Sequence, residues 1–107
     1  MKRNEAETRA DLIDPKIESS GWGKLENTRV RREYPINIGK LKPGSIRDSI
    51  LSADYVLVKD NKKLAVIEAK KSCLNITEGI AQAKLYAEKL KILKSYSTNG
   101  NKIYEIN

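Results

Sequence analysis

The sequence has no histidine and a single cysteine, Cys73. Without histidine there is no Ser-His-Asp triad, no Cys-His pair and no imidazole-bound zinc. One thiol can form neither an internal disulfide nor a thiolate zinc cage, which suits a reducing cytoplasm. Any metal must therefore rest on oxygen ligands, and that points to Mg²⁺ or Mn²⁺. Phenylalanine is also missing. The core has to come from Ile, Leu, Val and Ala, with some of the tyrosines. No run of about 18 apolar residues occurs, so nothing is expected to span a membrane. The charged start Met1-Lys2-Arg3-Asn4-Glu5 has no apolar stretch behind it and does not read as a secretory signal.

What is present fits one soluble domain over residues 1–107. The net charge of +7 and pI near 9.5 make nucleic acid a candidate partner, against the plainer reading of a lysine-rich solvated surface.

Asn4 to about Ser20 reads as helical. Asn4 and Glu7 have capping-box spacing, and Ala6, Ala10, Ile13 and Ile17 recur at helical intervals. Pro15 either kinks one helix or opens a second one capped by Asp14. Arg29 to Ile38 reads as a strand that Pro35 pushes to a sheet edge. Gly39 to Ser52 reads as a polar loop. Ala53–Lys59 and Leu64–Lys70 read as strands joined by a hairpin turn at Asp60-Asn61-Lys62-Lys63. Ile76 to about Lys94 reads as a helix with Asn75 and Glu78 at capping-box spacing. Two short strands, Ser95–Thr98 and Ile103–Ile106, turn through Asn99-Gly100-Asn101. The expected order is α-β-β-β-α-β-β.

Charge inside the two apolar strands carries the chemistry. Asp54 lies in Ala53-Asp54-Tyr55-Val56-Leu57-Val58, and Glu68 and Lys70 lie in Val66-Ile67-Glu68-Ala69-Lys70. Residues two apart on a strand share a face, so Glu68 and Lys70 emerge together. A two-residue loop at Asn61-Lys62 would set Asp54 opposite Ala69, whereas an odd loop or a bulge sets it opposite Glu68. Such a loop or bulge is predicted. Two acids and one ammonium then converge, and a divalent ion relieves the repulsion between the acids. Such an ion can activate water and offset charge on a phosphate oxygen, with Lys70 orienting the water or steadying the transition state. The plainer reading of Glu68 and Lys70 is a surface ion pair. Gln82 and Tyr86, four apart on a helix, share a face; alone they would read as a polar helix edge with a packed tyrosine.

Taken in order, Asp54, Glu68-Ala69-Lys70 and Gln82-x-x-x-Tyr86 resemble the PD-(D/E)xK nucleases that carry a Q-x-x-x-Y motif. Glu5-Ala6-Glu7-Thr8-Arg9, Leu12-Ile13-Asp14-Pro15, Gly21-Trp22 and Thr98-Asn99-Gly100 narrow this. With them the chain resembles the N-terminal nuclease domain of the type I restriction enzyme R subunit, HsdR. The resemblance implies an α/β fold with a restriction-endonuclease-like αβββαβ core, a central mixed sheet flanked by helices. It implies a Mg²⁺-dependent DNA endonuclease, with Mn²⁺ able to substitute. Asp54, Glu68 and the backbone carbonyl of Ala69 would hold the metal, approached by Glu5 from the first helix. Lys70 would serve catalysis, while Gln82 and Tyr86 would support the site or touch DNA. Ala53 stands where the wider superfamily often has Pro, which the R-subunit pattern tolerates.

The implied partners are double-stranded DNA and, through the full-length protein, the modification and specificity subunits. ATP belongs to the family's motor domains; no G-x-x-x-x-G-K-[ST] loop occurs here, so the chain is expected to be a fragment of a longer R subunit or a shortened product. The ending Ile103-Tyr104-Glu105-Ile106-Asn107 resembles a domain edge. Arg29, Arg31, Arg32, Lys40, Lys42 and Arg47 are candidates for backbone phosphate contacts. Trp22 reads as core packing rather than base stacking. The alternatives are a non-catalytic DNA- or partner-binding module with a vestigial metal site, and a free-standing nuclease of the same superfamily.

Overall fold

The computed structural model describes residues 4–36, 51–70 and 79–106. Residues 37–50 lie outside these, and with them the last two residues of the expected Arg29–Ile38 strand and most of the expected Gly39–Ser52 loop, including Lys40, Lys42 and Arg47. The expected helix start at Asn75, Ile76 and Glu78 lies outside them too. The last two residues of that expected loop, 51 and 52, belong instead to a strand. Among the described residues no helix is long and apolar enough to cross a membrane.

The first helical segment begins with the predicted capping box. Asn4 Oδ1 accepts the Glu7 N–H at 2.8 Å, and Glu7 Oε1 accepts the Asn4 N–H at 3.1 Å. Helix α1 (Glu5–Thr8) runs through a π-helical turn (Arg9–Ile13) into α2 (Asp14–Ser19). The wider turn has a local cause. Pro15 has no N–H, and its ring would crowd the carbonyl four residues back in a regular α-helix. Asp14 was expected as a possible cap. It lies instead within the helix, its N–H reaching Arg9 O, and its carboxylate turns to the sheet to accept from Tyr55 and Arg32.

The sheet has five strands in the order β1 (Thr28–Ile36), β2 (Leu51–Lys59), β3 (Lys62–Ala69), β4 (Lys94–Thr98), β5 (Ile103–Ile106). Only β3 and β4 are parallel. A parallel neighbour requires a crossover, which α3 (Ile80–Leu90) provides. Pro35 sits on β1, an edge strand, where a missing ladder donor is tolerated. Helix α3 stops at Leu90, earlier than the periodicity predicts. Lys91 takes a left-handed φ of +59°, and the Ile92 N–H returns to Ala87 O at 2.8 Å, a Schellman-type end. Ile92 then drops into the core rather than extending the helix.

The β2–β3 hairpin sets the register. Asp60 and Asn61 both have positive φ, the two-residue turn that matches strand twist. Lys59 faces Lys62 and Val58 faces Lys63, a register that would carry Asp54 opposite Ile67. A bulge intervenes: Leu57 faces Ala65, so Leu64 is the extra residue, and Tyr55 faces Ile67. The next step puts Asp54 opposite Glu68. The predicted bulge is present, while the turn sits one residue earlier than the Asn61-Lys62 loop considered from sequence.

Two apolar clusters cover opposite faces of the sheet. Val56, Val58 and Val66 pack with Tyr86, Ala87 and Ile92 on the α3 side. Tyr55, Leu57, Ala65, Ile67 and Ala69 pack with Ile13 and Ile17 on the α1–α2 side, where Trp22 also packs. Burial on both faces explains why β2 and β3 read as nearly continuous apolar runs. Ile13 is 3% exposed and anchors the helical segment to the sheet. Ile13→Ala should lower the unfolding free energy by about 2–5 kcal/mol. Leu93→Ala, at a residue 90% exposed, should change it by less than about 0.5 kcal/mol. Urea midpoints measure both, and equal midpoints would contradict this packing.

Candidate active site

Asp54 and Glu68 meet where the sheet opens. The Asp54 N–H donates to Glu68 Oε2 at 2.8 Å, and the Ala69 N–H donates to Asp54 Oδ2 at 2.7 Å. Each acid thus takes a backbone donor from the opposite strand, where a β-ladder would pair N–H with C=O. The carboxylates lie between β2 and β3. Glu68 is 3% exposed.

Two further predicted residues, Lys70 and Tyr86, interact electrostatically with this pair, and Gln82 contacts Tyr86. Lys70 follows the end of β3, its N–H held by Thr98 O at 2.9 Å, and its charge draws the Glu68 pKa down. Gly79, just before α3, leaves room for it: a Cβ there would lie 3.1 Å from Lys70 Cε and 2.5 Å from Ser97 Oγ. Gln82 Nε2 donates to Tyr86 Oη at 2.8 Å, and Tyr86 feels the charges of both Glu68 and Asp54. Tyr86 is 2% exposed and packs in the α3-side cluster.

Burial dominates the electrostatics. It pushes the Glu68 carboxyl up to about 8, with Asp54 adding to the rise and the Asp54 N–H and Lys70 opposing it. Burial also raises Asp54, against the Ala69 N–H and Arg9. Glu5 raises both acids, so its field reaches the gap. Among the described residues no three Asp, Glu or Cys side chains form a metal-binding cluster. The close pair is Asp54 and Glu68, with Glu5 outside it. A buried pair of acids whose desolvation outweighs the nearby cations, offering only oxygen donors, fits a hard divalent cation.

The exposed arginines of β1 lie at different levels of the strand and make different contacts. Arg29 pairs with Val58 and lines a cleft with Asn27, Asp60 and Asn61, roughly 13 Å along the strand from Asp54. The Arg31 guanidinium lies 5.8 Å from the Tyr34 ring centre. Arg32 is committed to Asp14 at 2.9 Å. Sequence reasoning gave no role to Arg9, which reaches Asp54. Its NH2 donates to Asp54 O at 3.2 Å, its Nε to Tyr55 Oη at 3.1 Å, and NH1 pairs with Glu33. The available signal was helical spacing: Arg9 is four residues after Glu5, on the same face.

Comparison with known proteins bears on this arrangement. The family model for the type I restriction enzyme EcoKI endonuclease subunit second domain matches residues 27–105. The type I restriction enzyme EcoAI endonuclease subunit of Escherichia coli is 36% identical over 102 residues, covering 88% of this chain and 12% of that protein. A solved fragment of an HsdR subunit of a type I restriction enzyme from Vibrio vulnificus YJ016 superposes with a TM-score of 0.87 at 34% identity. It covers all of this chain, which corresponds to 21% of that structure. The chain therefore spans a small part of the relatives it matches.

The Glu68 shift gives a pH dependence with a definite sign. Its folded value of about 8 exceeds the ordinary 4.5, so the folded state binds more protons between these values. Stability from this group is greatest below about pH 4.5 and is lost as pH rises to about 8. In chelator-treated protein the melting temperature should fall across that window, and Glu68→Gln should flatten the fall. An identical pH profile for the variant would reject the buried, uncompensated carboxyl.

Proposed function

The chain belongs to the type I restriction enzyme endonuclease subunit family, and on that premise we propose that it is a Mg²⁺-dependent DNA nuclease domain of the PD-(D/E)xK type, formed by residues 1–107. The observation that carries this reading is the meeting of Asp54 and Glu68 between β2 and β3 with Lys70 beside them. The whole subunit would work in a cytoplasmic complex with modification and specificity subunits on double-stranded DNA, its ATP-driven motor lying in other domains.

Asp54, Glu68 and the backbone carbonyl of Ala69 would hold Mg²⁺, or Mn²⁺ in its place. When bound, the ion supplies Lewis-acid neutralisation of charge that develops on phosphoryl oxygens. Asp54 and Glu68 enter this role ionised, so ion binding competes with the proton that burial favours on Glu68. Lys70 places an ammonium at the rim, where it offsets negative charge and orients the attacking water. Tyr86, braced by Gln82, closes the floor of the site. Glu5 deepens the negative potential that attracts the cation. Lys40, Lys42 and Arg47, with Arg29 and Arg31, would meet backbone phosphates.

One observation favours a second reading. Both acids already accept backbone N–H groups, an arrangement that would also serve a non-cutting module with a vestigial site. Metal binding separates the two. Calorimetric titration with Mn²⁺ should show binding by the chain and none by Glu68→Ala. In the full subunit assembled with its partners, Asp54→Ala and Lys70→Ala should each cut Mg²⁺-dependent DNA cleavage by about a hundredfold or more, with the fold intact by circular dichroism. Full cleavage by either variant would reject the assignment.

A further inference from the structure

Where Asp54 breaks the sheet, the neighbouring edge strand breaks as well. Glu33 of β1 has a φ of +48°, a left-handed backbone that residues with a Cβ rarely adopt. The strand alternation slips at this residue. Val30 and Arg32 lie on the α1–α2 side with Tyr55, whereas Tyr34 packs on the α3 side. Strand β2 slips at the same level, with Tyr55 and Leu57 on one side and Ala53 on the other. The pairs Arg32–Tyr55 and Tyr34–Ala53 flank this break, which places Glu33 beside Asp54. Strained backbone opposite a candidate metal-binding acid is the kind of feature that surrounding structure must enforce.

The enforcing contacts are visible. Glu33 holds Arg9 through Oε1, and its Oε2 accepts from Ser52 Oγ at 3.3 Å. Arg9 in turn donates to the Asp54 carbonyl and to Tyr55 Oη, and its NH1 stands 3.9 Å from Asp54 Oδ1. The Asp54 carbonyl is therefore held by a guanidinium and its N–H by Glu68. Neither Arg9 nor Glu33 belongs to the acid pair itself.

We propose that Glu33 and Arg9 are a positioning pair: Glu33 fixes the Arg9 guanidinium, and Arg9 fixes the Asp54 backbone so that its carboxylate stays in the gap facing Glu68. This rests on reading Asp54 and Glu68 as a divalent-ion site. The planar fork of arginine matters, because it serves Glu33, Tyr55 and the Asp54 carbonyl at once, which a lysine ammonium cannot do in the same geometry.

A simple field effect makes different predictions, so the two can be told apart. The full chain is titrated with Mn²⁺ by calorimetry at fixed pH and ionic strength, with folding followed by circular dichroism and thermal melting. If Arg9 and Glu33 act only through charge, Arg9→Lys leaves affinity unchanged. Arg9→Met then tightens binding, because a nearby cation is gone, and Glu33→Gly weakens it. If they position Asp54, all three variants bind Mn²⁺ more weakly, by about tenfold, the low end for outer partners of metal ligands. Glu33→Gly should also melt no lower than the parent chain, because glycine accepts the left-handed backbone. A residue with a merely structural role would lose stability and leave the affinity of the folded fraction unchanged. Arg9→Lys at parental affinity, or Arg9→Met at raised affinity, overturns the proposal. If Arg9→Met does not fold, Arg9→Lys alone decides. Absence of Mn²⁺ binding by the parent chain would instead reject the ion-site reading on which the pair depends.

Discussion

The exchange between Asp54 and Glu68 is the constraint around which the molecule is arranged. Two acids sit on β2 and β3, the inner strands of the sheet that are buried on both faces. Burying a carboxylate is costly unless hydrogen bonds or opposite charge compensate it. The backbone N–H groups of Asp54 and Ala69 give part of that compensation, and they can do so only because the strands part there. The parting follows from the bulge at Leu64, which sets the two acids opposite each other instead of staggered. A regular ladder would close the gap and turn one acid toward an apolar cluster. Desolvation outweighs these hydrogen bonds and the charges of Arg9 and Lys70, and so burial raises both acids.

The parts of this arrangement written in short-range patterns were legible in the sequence. Asn4 and Glu7 close a capping box because their spacing allows nothing else so local. Pro35 marks an edge because it cannot donate to a second neighbour. The need for an odd loop or a bulge followed from parity, since a two-residue Asn61-Lys62 loop would set Asp54 opposite Ala69; of the two, the bulge is present. The exact turn was not legible. Asp60, Asn61 and Lys62 all suit a tight turn, and the choice between them rests on which pairing buries Val56, Leu57 and Val66.

What was not legible depends on contacts between distant segments. Asp14 has the sequence context of a helix cap, Asp-Pro, yet the π-helical turn carries it past the helix start and toward Tyr55 and Arg32. The end of α3 was equally hidden. Lys91, Ile92, Leu93 and Lys94 contain no glycine or proline, and the left-handed cap at Lys91 is set by the place Ile92 finds in the core. Arg9 and Glu33 are 24 residues apart in the chain, and no local pattern links them. Glu33 in particular reads as an ordinary exposed strand residue, because backbone strain leaves no mark on composition.

Charge is divided within the chain in a way that follows from the same constraint. The sequence carries a net charge of +7, yet the gap between β2 and β3 is lined by acids that reinforce one another, Asp54, Glu68 and the more distant Glu5. A polyanion drawn by the basic surface would be repelled from this gap for as long as the acids are ionised and unscreened. Protonation of Glu68 would remove part of that repulsion, but under the proposed metal site it would also remove a ligand. A divalent cation would remove it while keeping both acids ionised. The acids and the surrounding lysines and arginines are thus not redundant expressions of one electrostatic preference. On the proposed reading, the basic surface would favour approach of phosphate in general, whereas the acid pair would make close approach of one phosphate conditional on a cation.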